Sequence, residues 1–360
     1  MLEGFIKKYK KEIDKELGLF LDKKIREHGK IKKQIAVVLK SIREFNMRGG
    51  KRIRPLLVIL GYLAAGGRNT KEAIKASVAV ELLEAFLLIH DDIIDRDSLR
   101  RGKQTINIEY EKRCGKSPGL RRKKGDEKRT ICHDYGNNIA IVAGDIALGL
   151  AVDALLETRF DNKKKSGAIA ILNNALIKTC FGQILDINTS LMQEISEKDI
   201  IEIQKLKTAV YTIEAPLHIG AELAGKKSLK RDYSRYALHL GQAFQIRDDI
   251  LNIFGSRKAI GKPIMSDIAE GKQTLLIKKA ISSSGKRDAE FLKGCMGKKP
   301  GRKEIARIRQ IIRQSSLDET YSIAKREAEK AKKHIENAKI SRTSKRIFAG
   351  FADYIIERKY

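Results

Sequence analysis

The sequence predicts an all-α protein that folds as a single domain over residues 1–360. Long stretches consist of Ala, Leu, Ile, Lys and Glu, which are good helix formers, while Pro occurs only 5 times and Trp is absent. No run of alternating apolar and polar residues has the pattern of a β-strand. Hydrophobic residues make up 42% of the chain, which is enough to bury a large core. We therefore expect a bundle of long helices.

Glycine and proline mark the boundaries of the expected helices. Gly49 and Gly50 end one helix, and Pro55 stands where a proline fits the first turn of the next. Pro216 lies inside an otherwise helical segment and should kink it. Apolar residues at spacings of three and four predict long helices over residues 72–97, 139–156, 167–186, 197–224 and 233–254, then a loop over 255–271 and further helices from residue 274.

Two regions are unusually charged. Residues 110–132 are basic, contain several glycines and lack apolar periodicity, so we interpret them as a mobile surface insertion between two helices. Residues 304–360 predict a charged helical tail. The formal net charge of the whole chain is +29. A lysine-rich surface that maintains solubility accounts for most of this charge.

The remaining charge leaves two interpretations, polyanionic substrates and a peripheral contact of the insertion and tail with anionic membrane. Nucleic-acid binding is not expected, because the basic residues are spread along the chain without a nucleic-acid motif. The N-terminal residues 1–24 are amphipathic and do not form a signal sequence. Residues 78–89 are the most apolar candidate for a membrane span, but Glu81 and Glu84 interrupt them. The 4 cysteines form no Cys-x-x-Cys pair, which favours a reduced, cytoplasmic protein.

Two acidic clusters lie inside apolar helical segments. Asp91, Asp92 and Asp95 form the first, and Asp248 to Asn252 delimit the second. Residues four apart share one face of a helix, so the carboxylates stack along that face. Two unit charges about 4 Å apart repel by roughly 4 kcal/mol at an effective dielectric constant near 20. Oxygen ligands without paired His or Cys favour a hard cation, Mg²⁺ or Mn²⁺, whose coordination is completed by substrate phosphate.

Cations accompany both clusters. Arginine forks and lysine ammonium groups are the usual binding groups for diphosphates. Each cation alone would be a solvated surface charge in so basic a chain, and only its position relative to the aspartates makes it a candidate. The candidates are Lys51, Arg52 and Arg54 before a helix, Arg100 and Arg101 after the first cluster, and Lys207, Lys262 and Lys272.

In this order, the elements resemble the trans-isoprenyl diphosphate synthases of the polyprenyl synthetase family over roughly residues 40–280. The resemblance implies the isoprenoid synthase fold, in which long helices surround a deep central cavity, usually in a homodimer. The matching elements are Gly49-Gly50-Lys51-Arg52-Ile53-Arg54-Pro55, Asp91 to Asp95 with Arg100-Arg101-Gly102, Tyr135-Gly136, Gly144-Asp145, Gly182-Gln183 with Asp186, Lys207-Thr208, Phe244-Gln245 with Asp248-Asp249, and Gly261-Lys262 to Lys272-Gln273-Thr274.

The resemblance implies a short-chain prenyltransferase that condenses isopentenyl diphosphate with allylic diphosphates. Three Mg²⁺ ions, for which Mn²⁺ could substitute, would bridge the allylic diphosphate to both aspartate motifs. The implied metal ligands are Asp91, Asp92, Asp95 and Asp248, and the implied catalytic residues are Asp91, Asp95, Asp248 and Lys207. The allylic diphosphate would bind Arg100, Lys207, Thr208, Gln245, Lys262 and Lys272, and isopentenyl diphosphate would bind Lys51, Arg54 and Arg101.

Two positions depart from the family pattern. Asn252 ends the second motif where the family most often has Asp, which removes one carboxylate and should weaken metal binding without abolishing activity. Glu84 stands where many relatives have a His or Gln that contacts isopentenyl diphosphate. A carboxylate beside an anion is unfavourable, and we expect Glu84 to pair with Lys51 or Arg52.

The residues beneath the first motif limit product length in this family. Phe86 lies five residues before Asp91, roughly 7 Å lower on the helix, and Leu87 is smaller than an aromatic residue. A single Phe at this position resembles archaeal-type synthases that make geranylgeranyl diphosphate, with farnesyl diphosphate as intermediate or by-product. The alternative is that Phe86 is a core residue only.

Two other function classes stay open at this point. A binding protein, either an idle partner subunit or an RNA-associated protein, would not need both acidic motifs and every diphosphate-binding cation. A terpene cyclase shares the first motif, but cyclases usually carry a second motif of Asn, Ser and Glu. They also lack the Gly-Gly-Lys-Arg-x-Arg-Pro element that begins here at Gly49.

Overall fold

The computed structural model describes residues 1–120, 123–189, 195–255 and 264–357, and this part of the chain is helical almost throughout. The all-α prediction is therefore confirmed. The α-helices are α1 (Leu2–His28), α2 (Lys33–Met47), α3 (Ile53–Ala64), α4 (Thr70–Ile94), α5 (Ile106–Gly115), α6 (Gly125–Leu156), α7 (Asn162–Thr189), α8 (Glu197–Gln204), α9 (Ala215–Leu223), α10 (Lys230–Phe254), α11 (Ser266–Ala269), α12 (Leu275–Ser283), α13 (Lys286–Cys295), α14 (Arg302–Ser315), α15 (Leu317–Glu336) and α16 (Arg342–Glu357).

Three kinds of short element complete the fold. A π-helix, Lys205–Glu214, joins α8 to α9, and single turns of 3₁₀-helix cover Pro118–Leu120 and Lys227–Leu229. A hairpin of two antiparallel strands, β1 (Leu99–Arg100) and β2 (Lys103–Gln104), follows α4. These strands are only two residues long, so an alternating sequence pattern could not have indicated them.

The chain forms two compact units. The first unit comprises Lys7–Leu56 and Asn69–Lys165. The second comprises Met1–Ile6, Leu57–Arg68 and Ser166–Tyr360. The first acidic cluster belongs to the first unit and the second cluster to the second unit. That the chain forms one domain stays a prediction.

Helix α4 forms the core of the first unit. It begins after Asn69, whose side chain accepts a hydrogen bond from the backbone N–H of Glu72 at 3.3 Å. Small residues of α6 permit close packing, since a Cβ added to Gly144 would lie 2.4 Å from the ring of His90. Because α4 is buried along most of its length, the first acidic cluster lies where this helix leaves the core.

Helix α10 runs through the core of the second unit. It packs against α15 and the π-helix. Tyr236 donates a hydrogen bond to the backbone oxygen of Phe348 at 2.7 Å, and Tyr233 donates one to that of Gly61 at 3.2 Å. Both tyrosines are fully buried. The charged tail is helical, as predicted, and its apolar faces cover the helix that carries the second acidic cluster.

The basic segment is more helical than its sequence suggested. Residues up to Gly115 belong to α5, and α6 begins at Gly125. Tyr110, Cys114 and Cys132 are buried between these two helices. Arg121 and Arg122 lie outside the described residues. The segment is therefore tied to the first unit at both of its ends.

Two helices of the described chain, α6 and α7, are long and apolar enough to cross a membrane by length and composition. The sequence analysis had named residues 78–89 as the most apolar candidate for a membrane span, whereas these two helices satisfy the criterion. In α6 the most apolar window is 44% buried, and in α7 it is 28% buried. Core helices of soluble proteins satisfy the same criterion, so burial carries more information here than hydropathy does.

Candidate active site

The first acidic cluster lies at the C-terminal end of α4. The backbone N–H of Asp95 donates to the backbone oxygen of Asp91 at 2.8 Å and closes the last turn. Arg96 then adopts a left-handed conformation, with φ 55°, and the chain turns into the β-hairpin. Asp92 is buried, whereas Asp91 and Asp95 are partly exposed. The hairpin returns Arg100 to these aspartates.

Arg100 is the cationic partner of the first cluster. Its Nε donates to Oδ1 of Asp92 at 2.6 Å, and its Nη2 lies 3.2 Å from Oδ2 of Asp97 and 3.5 Å from Oδ2 of Asp91. The guanidinium presents several donors in a fixed fork, so one arginine can satisfy several carboxylates. The role assigned to Arg100 by resemblance, binding the allylic diphosphate, stays a prediction.

Arg52 has a structural role. Its side chain is 1% exposed, and its Nε donates to Asp14 at 2.7 Å. A second donor makes a short hydrogen bond to Glu81, and a third reaches the backbone oxygen of Asn46 at 2.7 Å. A buried guanidinium with ionic and backbone partners is costly to disturb. Arg52 therefore holds α1, α2 and α4 together. The preceding residue, Lys51, is half-buried.

Glu84 pairs with two arginines that the sequence had not indicated for it. Its Oε1 lies 2.8 Å from Nη1 of Arg54 and 3.4 Å from Nη2 of Arg101. The expectation named Lys51 or Arg52, but the guanidinium of Arg52 binds Asp14 and Glu81 instead. Burial alone would raise the pKa of Glu84, but the guanidiniums of Arg54 and Arg101 hold that pKa below its usual value. Glu84 is therefore ionised at neutral pH.

The second acidic cluster lies on α10 and is supported by amides. Gln245 donates to Oδ1 of Asp249 at 2.8 Å, and Gln204 donates to its Oδ2 at 3.3 Å. Burial, and then the negative charges of Asp267, Asp248 and Asp186, raise the pKa of Asp249 well above its usual range. The excess negative charge around Asp249 is what a divalent cation would balance.

The π-helix presents Lys207 and Thr208 to this cluster. Thr208 Oγ1 donates to Gln245 Oε1 at 2.7 Å, and Lys207 Nζ donates to Asp186 Oδ2 at 2.5 Å. Pro216, whose nitrogen carries no hydrogen, follows in the first turn of α9, so the predicted irregularity takes the form of a π-helix.

Two glycines permit the neighbouring helices to approach the π-helix. A Cβ on Gly182 of α7 would lie 2.5 Å from the backbone nitrogen of Lys207. A Cβ on Gly241 of α10 would lie 2.1 Å from Cβ of Ala209. Distances under 3 Å are not tolerated without movement of the backbone. The spacing of α7 and α10 around the candidate site therefore depends on these glycines.

The second unit contains a cavity of about 130 Å³ among these residues. Four side chains proposed from the sequence line it together, namely Lys207, Thr208, Gln245 and Lys272. Lys272 lies 2.5 Å from Glu270 and 3.9 Å from Asp186. The other lining residues are Asp186, Thr189, Ile200, Ile203, Gln204, Asp249, Asp267, Gln273 and Thr274. Lys262, which was also proposed, lies outside the described residues.

Sequence reasoning missed three contributors to this cavity. Asp186 was noted only as part of the resemblance, although it binds Lys207. Gln204 and Asp267 were not named as site residues. Asp267 lies in the first turn of α11, and its backbone N–H donates to Oδ1 of Asn252 at 3.4 Å. The Asn252 amide in turn donates to Ser266 Oγ at 2.6 Å. Asn252 therefore positions the turn that carries Asp267.

The described residues contain no group of three or more His, Cys, Asp and Glu side chains already gathered as ligands around one point. The carboxylates fit Mg²⁺ nonetheless, because this ion usually takes one or two carboxylates and completes its shell with waters and substrate phosphates.

Phe86 is buried, with its ring centroid 4.6 Å from that of His90, and Leu87 is half-buried on the same helix.

Comparison with known proteins supports one class of function for this arrangement. The sequence model of polyprenyl synthetase matches residues 36–314. A geranylgeranyl diphosphate synthase of Saccharolobus solfataricus is 33% identical over 316 residues, which cover 86% of this chain and 87% of that protein. A geranylfarnesyl diphosphate synthase of Aeropyrum pernix is 31% identical, covering 86% of this chain and 91% of that protein.

A solved structure extends the similarity to the whole chain. Geranylgeranyl pyrophosphate synthase from Corynebacterium glutamicum, complexed with isoprenyl diphosphate and magnesium, superposes with a TM-score of 0.90. The two sequences are 29% identical, and the similarity covers 98% of this chain and 99% of that one.

The raised pKa of Asp249 predicts a pH-dependent effect of Asp249→Asn on stability. The folded state binds the proton of this carboxyl more tightly than the unfolded state does, so its stabilising contribution is present at low pH. That contribution is lost as the pH rises through the folded-state pKa. In metal-free protein at pH 8 we expect Asn to raise the melting temperature by roughly 2–4 °C.

The gain should shrink at pH 5, and differential scanning fluorimetry at both pH values measures it. Asp288→Asn is the matched control, because that carboxylate is 44% exposed and pairs with Arg307. A gain for Asp249→Asn that is equal at pH 5 and pH 8 would contradict the assignment.

Proposed function

This chain belongs to the polyprenyl synthetase family, and we propose that it condenses isopentenyl diphosphate with allylic diphosphates to make geranylgeranyl diphosphate. Farnesyl diphosphate would be an intermediate or by-product. The observation that carries the proposal is the cavity in which Lys207, Thr208, Gln245 and Lys272 surround buried carboxylates. Lysine ammonium groups and hydrogen-bond donors beside carboxylates form a site for a diphosphate bound together with metal ions.

We propose that the reaction depends on Mg²⁺, with three ions in the substrate complex and Mn²⁺ as a substitute. Asp91, Asp92 and Asp95 would hold metal in the first unit, and Asp248 would do so in the second. When bound, the ions neutralise the charge that develops on the departing diphosphate. The raised pKa of Asp249, caused first by burial and then by the neighbouring carboxylates, supports this assignment, because a nearby cation would offset the repulsion from those carboxylates.

The side chains of the second unit would hold the allylic diphosphate. Lys207 and Lys272 now balance Asp186 and would turn their ammonium groups toward the incoming diphosphate oxygens. Thr208 and Gln245, linked by a hydrogen bond of 2.7 Å, would hold its orientation. Donors fixed in advance stabilise developing charge without reorganisation, which is the largest contribution in many enzymes.

The proposed condensation breaks one carbon–oxygen bond and forms one carbon–carbon bond. The carbon–oxygen bond of the allylic diphosphate breaks, which leaves an allylic carbocation and pyrophosphate. The double bond of isopentenyl diphosphate attacks the cation and forms the new carbon–carbon bond. Loss of a proton to the released pyrophosphate restores a double bond, so no protein base is required. Apolar walls exclude water from the cation.

Turnover with isopentenyl diphosphate and each allylic diphosphate tests the proposed function. We expect product only with Mg²⁺ or Mn²⁺ present, and none with EDTA. Asp91→Asn and Asp248→Asn should each lower kcat by about 100-fold or more, because each removes charge aimed at the transition state. Asp288→Asn, an exposed carboxylate paired with Arg307, is the control and should retain wild-type kcat. Tight RNA binding without turnover would instead favour the RNA-associated alternative.

We also propose that Phe86 limits the product length. Its ring is buried against His90 on α4, which lies close to α6 at Gly144. Phe86→Ala removes an aromatic ring from beneath the first motif, and we expect products longer than geranylgeranyl diphosphate. Chromatography of the dephosphorylated products measures this. Phe291→Ala is the control. It removes an aromatic ring of α13 that stacks on Arg307, and it should leave the product length unchanged. Unchanged length in Phe86→Ala would leave Phe86 as a core residue only.

A homodimer is the third part of the proposal. Helix α7 exposes an apolar face on which Ile177 is 43%, Phe181 54% and Ile184 56% exposed. Helix α6 exposes Ile141 at 43% and Val142 at 53%. Large exposed apolar side chains along one helix face are typical of protein interfaces. Cytoplasmic location and a peripheral contact with anionic membrane stay predictions.

Phe181→Asp should convert the dimer to a monomer, because a carboxylate would be buried without a partner at the interface. Size-exclusion chromatography with light scattering measures the mass. Leu238→Asp introduces the same charge at a leucine of α10 that is 42% exposed, and it should leave the mass unchanged. A monomeric wild-type protein would contradict this part of the proposal without affecting the proposed reaction.

A further inference from the structure

We propose that Glu84 occupies the diphosphate-binding arginines Arg54 and Arg101 in the resting enzyme and thereby sets the affinity for isopentenyl diphosphate. The inference rests on the proposed function and on the family resemblance, which implies that these two arginines bind that substrate. It makes Glu84 a specificity-determining residue, because Glu84 competes with the diphosphate for the same donors.

The contacts show how completely Glu84 engages this pair. One oxygen, Oε1, lies 2.8 Å from Arg54 and 3.4 Å from Arg101. The other terminal nitrogen of Arg101 donates to the backbone oxygen of Gly49 at 2.7 Å, which fixes the guanidinium in place. The side chains of Arg54 and Glu84 are each 12% exposed, and that of Arg101 is 25% exposed. Such an arrangement is the one expected of an anion site filled by a carboxylate of the protein itself.

Arg52 adds no net positive charge beside Glu84. Its guanidinium acts on Glu84, but it is balanced by Asp14 and Glu81. Arg54, Arg101 and ionised Glu84 together therefore carry a single positive charge toward an incoming diphosphate, which carries several negative charges. Like charges in a poorly solvated site repel strongly. Isopentenyl diphosphate must displace Glu84 from the guanidiniums or bind beside it.

A purely structural role for Glu84 predicts the opposite result. If the carboxylate served only to orient Arg54 and Arg101, its removal would loosen both arginines and weaken substrate binding. Competition predicts that neutralising Glu84 strengthens binding. A variant that folds poorly loses affinity, so a gain in affinity cannot arise from damage to the fold.

The experiment is a steady-state comparison of the wild type with Glu84→Gln at saturating allylic diphosphate and Mg²⁺. The amide keeps the shape and one acceptor oxygen but removes the charge. We expect the KM for isopentenyl diphosphate to fall at least about tenfold. The KM for the allylic diphosphate should not change. Calorimetry with isopentenyl diphosphate alone should show the same fall in Kd, and Glu84→Ala, a second variant, should change in the same direction.

Glu72→Gln is the matched control. Glu72 lies in the first turn of the same helix and pairs with Lys75 at 2.8 Å, so the substitution changes the net charge equally. Although Glu72 is buried, the KM of this variant for isopentenyl diphosphate should stay within about twofold of wild type, because Glu72 lies three turns of α4, about 18 Å, from Glu84. An unchanged or raised KM and Kd in both Glu84 variants would overturn the inference. Absence of turnover in the wild type would instead contradict the proposed function, and the two failures are thus distinguishable.

Discussion

The structure depends on ion pairs between charged side chains that lie in poorly solvated positions on its helices. On α4, the carboxylates at positions 81, 84 and 92 are buried, and each has an arginine partner. Arg52 and Arg54 come from the start of α3 and Arg100 from the hairpin that follows α4, so the ion pairs hold these segments in place. Removing one partner would leave an uncompensated buried charge, which costs far more than a surface pair contributes. The same ion pairs therefore shape both the fold and the candidate site.

The two acidic clusters reach this balance differently. In the first, the guanidinium of Arg100 pairs directly with three aspartates, so one positive charge offsets part of their negative charge within the protein. In the second, Gln204 and Gln245 give Asp249 hydrogen bonds but no positive charge. Amide donors satisfy the oxygens while the charge itself stays uncompensated. Burial, and then the negative charges of Asp267, Asp248 and Asp186, raise the pKa of Asp249 well above its usual range.

Local patterns predicted much of the fold and part of the site. Helical periodicity predicted the long helices. The family resemblance implied that Lys207, Thr208, Gln245 and Lys272 share one ligand; the structure brings these four side chains to one cavity, and their binding role stays a prediction. The partners of Glu84 and the turn that carries Asp267 did not follow from the sequence, because both depend on tertiary contacts between distant segments. The helical structure of the basic segment was not predicted for a related reason. Tyr110, Cys114 and Cys132 are buried by tertiary packing, which the weak periodicity of this segment does not reveal.

Asn252 shows why a motif departure cannot be judged from its chemistry alone. As a metal ligand, Asn252 would differ from the aspartate usual in the family by lacking a negative charge. In the structure both ends of its amide are used, one toward Ser266 and the other toward the backbone of Asp267. An aspartate could accept from the backbone N–H but could not donate to Ser266, and it would add a further negative charge to those of Asp186, Asp248, Asp249 and Asp267. Asparagine thus orders the turn and presents the Asp267 carboxylate to the cavity. It does so without adding to the repulsion that the neighbouring carboxylates exert on Asp249.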